Sequence, residues 1–63
     1  MATVFSNSDK LASIERELAY RRRVYAGLVG KGRMTQAMAD YEVAVFEAIA
    51  ADYRPLAEKE RLL

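Results

Sequence analysis

The sequence predicts an all-α protein: an antiparallel helical hairpin with a short C-terminal helix or extension, dimerising into a four-helix bundle. Three observations predict it. Apolar residues recur at three- and four-residue spacing in two long segments, with a glycine-bearing stretch, "GKGR", between them. No segment alternates polar and apolar residues as a half-exposed strand would. The chain has 63 residues, one domain at most, and no cysteine or histidine. A chain this short buries only roughly 60% of its unfolded surface, and small scaffolds usually need a staple. Composition excludes disulfides and thiolate metal sites, and zinc almost always draws on Cys or His. Association is the staple that remains.

The first helix is expected over about residues 8–29, where Leu11, Ile14, Leu18, Tyr25 and Leu28 mark one face. It starts at the polar cluster "SNSD". Ser6 and Asp9 form a capping-box pattern with Asp in the usual Glu position, and Ser8 is an equally good cap. Gly27 lies inside the pattern and weakens the last turn by up to ~1 kcal/mol relative to alanine. Gly30 and Gly32 stop the helix, since glycine readily takes the left-handed conformation of a helix end.

A turn over residues 30–34 leads to the second helix, expected over about 35–54. Thr35 is a good N-cap, and Met34 with Ala39 can form a hydrophobic staple. The pattern then runs Met38, Tyr41, Val45, Ile49. Pro55 disfavours helical geometry in the residue before it, which ends the helix near Arg54. Proline also suits a first helical turn, so residues 55–63, "PLAEKERLL", form a tail that is either a short third helix or a bent extension. The short connection makes the two long helices antiparallel neighbours. A turn centred near residue 32 sets Leu18 opposite Val45, Ile14 opposite Ile49, Tyr25 opposite Met38, and Arg21 opposite Glu42.

That register assigns the "RRR" triplet. At 100° per residue, Arg21 and Arg22 lie within about 60° of Leu18 and edge the apolar stripe, whereas Arg23 lies about 140° away. Arg21 is expected to pair with Glu42 across the hairpin and with Glu17 one turn back. Arg22 covers the other edge with its aliphatic stem. Arg23 shares the outer face with Arg16 and Tyr20.

On the second helix, Met34, Met38, Tyr41, Ile49 and Leu56 lie within about 40° of Val45, and Phe46, Tyr53, Val43 and Ala50 widen the apolar arc to about 160°. One neighbouring helix cannot cover so wide an arc, and a helix apolar around most of its girth is normally buried on more than one side. The flank of Val43, Phe46, Ala50 and Tyr53 is therefore the expected dimer interface.

Charge is arranged in blocks although the net charge is only +1. Arg21, Arg22, Arg23, Lys31 and Arg33 fall in a stretch without acids; Asp40, Glu42, Glu47 and Asp52 fall in a stretch without bases. Folded together they neutralise one another, which weakens a nucleic-acid footprint. Arginine and tyrosine are enriched at interface hot spots and can also hold phosphates and stack bases. Arg16, Tyr20 and Arg23, with Lys31 and Arg33 at the turn, are the candidate partner-binding residues.

Catalysis is not expected. Without His or Cys the usual nucleophile–base arrangements cannot be built, and the carboxylates have ready roles as helix-surface charges. "GKGR" lacks the spacing and the preceding strand of a phosphate-binding loop. An acidic second helix also argues against a helix-turn-helix DNA reader. No cofactor or metal is expected. No apolar run approaches the ~20 residues of a membrane span, and "MATVFSNSDK" has neither the basic start nor the apolar core of a secretory signal. A cytoplasmic location is expected.

Residues 14 to 54 also carry a recognisable pattern: Glu17, Leu18, Arg21, Arg22, Val24 and Tyr25 as E-L-x-x-R-R-x-V-Y, then G-R-M-T at Gly32 to Thr35, Ala39, Glu42 and the "EAIAADYR" ending. The pattern resembles a family of short bacteriophage and prophage proteins whose members carry no assigned activity. Members often have proline directly after the Val-Tyr pair; Ala26 stands there in this chain, so its helix is expected to run on unbroken. The resemblance implies a phage-type accessory protein in the host cytoplasm, acting by stoichiometric binding, for instance as an inhibitor of a host defence or regulatory protein. Nucleic-acid association through the basic face and a structural role in assembly are the alternatives.

Overall fold

The computed structural model describes residues 4–63; the inclusion of residues 1–3 in the single domain, and their part in the signal-peptide argument, lie outside the described residues. Two helices, α1 (Asn7–Gly30) and α2 (Gln36–Leu62), pack as a hairpin.

Each helix starts where its local chemistry dictates. Ser6 is the N-cap of α1: its hydroxyl accepts from the Asp9 amide at 3.0 Å, and the Asp9 carboxylate accepts from the Ser6 amide at 3.3 Å. This is the capping box, with Ser6 and not Ser8 as the cap. The next two amides are satisfied from the far end of the chain. Glu60 accepts from Asn7 N at 2.9 Å and from Ser8 N at 3.0 Å. The four amides that a helix start leaves without partners are thus all bonded. Thr35 caps α2, its hydroxyl accepting from Met38 N at 3.1 Å.

Helix α1 ends in a Schellman motif. Arg33 N donates to Leu28 O at 2.9 Å and Gly32 N to Val29 O at 3.0 Å. Gly32 sits between with φ +72°, the left-handed conformation glycine adopts without a steric cost. Gly30 is simply the last helical residue, so the stop lies at Gly32 alone.

Two expectations are corrected here. The second helix does not end near Arg54: α2 runs through Pro55 to Leu62, so of the two forms expected for residues 55–63 the extension is the one observed and a separate third helix is not. Proline removes the bond to the Ala51 carbonyl and crowds it, at a cost of ~3 kcal/mol in a helix interior. Contacts beyond Pro55 oppose that cost: Ala57 is buried, and Glu60 binds the start of α1.

The register also differs. Arg21 meets Phe46 and Asn7 meets Glu60, each partner four positions further along α2 than a turn centred on residue 32 places it; Arg22 meets Glu47, six positions further. The linker in fact spans residues 31–35, centred on Arg33, which accounts for three of those positions.

The buried residues are Leu18 on α1 and Ala39, Ala50 and Ala57 on α2. The three alanines lie 11 and 7 positions apart, within about 20° of one another around the helix. They form a small-residue seam against which α1 lies. No large side chain is fully buried among the described residues. The molecule is one helix layer thick, with extents of 47 × 26 × 14 Å.

Candidate interaction surface

The three consecutive arginines meet three different surroundings. Arg21 is held inside the hairpin. Its Nε donates to Glu17 Oε1 at 2.7 Å, its Nη1 to the Tyr25 hydroxyl at 2.9 Å, and its guanidinium lies 5.0 Å from the Phe46 ring centroid. The bonds to Tyr25 and Glu17 push its pKa up further, so its charge is permanent. The expected Arg21–Glu42 ion pair does not form. In the observed register Phe46 takes the place opposite Arg21, and Glu42, half-buried, has no ion pair among the described residues. The ion pair that crosses the hairpin belongs to the next residue, Arg22, with Glu47.

Arg23 faces outward. Its guanidinium lies 5.5 Å from the Tyr20 ring centroid, a cation–π pair on the surface of α1. Arg16, one turn before Tyr20 on the same face, donates to Ser13 Oγ at 3.1 Å. Neither Arg16 nor Arg23 meets a carboxylate among the described residues, and both are exposed, as are Tyr20 and the turn residues Lys31 and Arg33. The helical face opposite α2 thus carries a tyrosine and two arginines that meet no carboxylate among the described residues.

The flank assigned to dimerisation turns inward instead. Ala50 is 0% exposed, Phe46 lies under Arg21, and Tyr53 lies under the Lys10 ammonium at 5.8 Å. Val43 is half-buried beside Tyr25, Ala26 and Val29 of α1. Val43, Phe46, Ala50 and Tyr53 are therefore the intramolecular seam, because alanines at 39, 50 and 57 let α1 approach that side of α2 closely. The wide apolar arc is real, but its two halves exchange places. Met38 (57% exposed), Tyr41 (68%), Val45 (40%) and Leu56 (45%) face away from α1. Sequence reasoning missed these four as a surface; the Ala39, Ala50, Ala57 spacing was the signal that could have located the seam.

The grooves beside the seam are open. One of about 410 Å3 is lined by Phe5, Lys10, Ile14, Ile49 and Tyr53, its Ile49 wall adjoining the face of Val45 and Leu56 on α2. Among the described residues no three His, Cys, Asp or Glu side chains gather as a metal site would require. No described helix is long and apolar enough to cross a membrane. No family model, no curated protein and no solved structure matches the chain.

Proposed function

We propose that this protein works by stoichiometric binding to another protein, through the outer face of α1 and the adjoining turn, and that it does so as a homodimer forming a four-helix bundle. One observation carries the reading. The chain engages Arg21 and Arg22 within the hairpin and leaves Arg16, Tyr20 and Arg23 presented together on the opposite face. Arg23 stacked on Tyr20 is a pre-ordered pair of the residue types that dominate interface energetics. Lys31 and Arg33 extend positive charge to the turn, so the partner surface is expected to be acidic. Taken with the resemblance of residues 14 to 54 to short phage proteins, the reading is a phage-type accessory protein that occupies a host defence or regulatory protein in the host cytoplasm, without catalysis, cofactor or metal.

A pull-down from host lysate with wild-type chain and Arg23→Glu side by side tests it. A partner retained by the wild type and lost with the variant supports the face. Equal recovery by both overturns it. Nucleic-acid association is the competing use of the same residues, favoured by the stacked Tyr20. Shift assays with duplex and single strands should show no binding at low salt; binding that weakens steeply as salt rises would favour nucleic acid instead.

A further inference from the structure

We infer that the α2 face bearing Met38, Tyr41, Val45 and Leu56 is where a second copy of this chain packs. The inference rests on the dimer reading above and replaces the flank the sequence pointed to.

These four side chains lie within about 40° of Val45 around the helix, and all are exposed in the single chain. Half-buried Met34 and Ile49 continue the same stripe. Soluble helices bury one stripe and wet the other side; α2 buries its alanine seam and still presents large apolar residues elsewhere.

The size of the uncovered surface fits one partner. A monomeric protein of 7.1 kDa exposes about 4,100 Å2 by the usual mass scaling. This chain exposes 4988 Å2. The excess of roughly 900 Å2 is spread over the whole chain, with exposed Val4, Phe5, Leu62 and Leu63 included, and is on the scale of the ~800 Å2 that each partner contributes to a standard interface. A structure 14 Å thick is one layer, whereas stable domains are built from two or more. A second hairpin supplies the missing layer at matching length.

A second copy fits better than an unrelated partner. The buried set is one leucine and three alanines, too little core for a lone chain to hold well. The missing burial is needed as soon as the chain folds, and the molecule always present then is another copy. A two-fold pairing sets the same patch against itself, so an apolar stripe is automatically complementary.

The chain has no cysteine, so single-cysteine variants report cleanly. Val45→Cys and Tyr20→Cys are compared for alkylation rate at high and low protein concentration, alongside sedimentation of the wild type. The expected result is a wild-type dimer in which Val45→Cys reacts at least tenfold more slowly at high concentration than on dilution, while Tyr20→Cys reacts alike at both. A wild-type dimer whose Val45→Cys reacts as fast as Tyr20→Cys at high concentration overturns the face and leaves the dimer standing. A wild-type monomer throughout overturns both. Val45→Glu gives the converse: a shift toward monomer supports the face, and an unchanged dimer counts against it.

Discussion

Arg21, Arg22 and Arg23 are adjacent in the chain and point three ways, because each step around a helix turns by 100°. Two of them make contacts within the hairpin and one faces outward. Their removal should therefore separate by assay. Arg21→Ala removes a hydrogen bond to Tyr25, an ion pair with Glu17 and a stack on Phe46, and should lower thermal stability while sparing partner binding. Arg23→Glu should do the reverse. Circular dichroism melts and partner pull-downs on both variants check the split. Glycine offers a second contrast at this scale. A side chain added at Gly27 meets nothing within 4 Å, so Gly27→Ala should raise stability by ~1 kcal/mol through helix propensity. Gly32→Ala should lower it by ~1 kcal/mol, because φ +72° is costly for any residue with a Cβ. Opposite shifts in the melting midpoint are expected; shifts of the same sign would contradict the Schellman geometry.

At the scale of the element, the two ends of the chain hold one another. Glu60, near the end of α2, accepts the Asn7 and Ser8 amides at the positive end of α1. Those amide bonds, Asn7 first, hold its carboxyl below the usual glutamate value of 4.5, against a smaller opposing push from burial. A carboxyl whose pKa is lowered on folding adds stability that is fully present above its unfolded value. The contribution is lost as pH falls through the folded value. Acidification from about 4.5 downward should release the ends, and Glu60→Gln should flatten that part of the pH–stability curve. Amide exchange at Asn7 and Ser8 should quicken in the variant at neutral pH. The same pair of ends explains what was legible in the sequence. Ser6, Asp9 and Thr35 could be named as caps because a cap depends on residues three apart. The run of α2 through Pro55 could not, because the residues that hold it, Ala57 and Glu60, act through α1. The seam was misplaced for a related reason. Hydrophobic periodicity weights Met38, Tyr41 and Val45 above alanine, yet small Ala39, Ala50 and Ala57 set how closely two helices approach.

For the whole molecule, the question is how so thin a structure stays folded. A 63-residue hairpin with Leu18 and three alanines as its buried set has little hydrophobic stabilisation of its own. Phe46 is half-buried within the chain, so Phe46→Ala should destabilise the hairpin itself, by ~2 kcal/mol for a large side chain that is only partly enclosed. Val45 is outside that seam, and Val45→Glu should leave the intrachain contacts intact while removing the stabilisation that comes from pairing. If pairing completes the core, folding is coupled to association, and stability then depends on concentration by mass action. Each tenfold rise in wild-type concentration should lift the melting midpoint by a few degrees. Phe46→Ala should keep that slope at a lower midpoint, because it weakens the hairpin and leaves the pairing face in place. Val45→Glu should flatten the slope, its midpoint no longer moving with concentration. A wild-type midpoint that stays constant over a hundredfold range would mean the hairpin folds alone, with Met38, Tyr41, Val45 and Leu56 left in water.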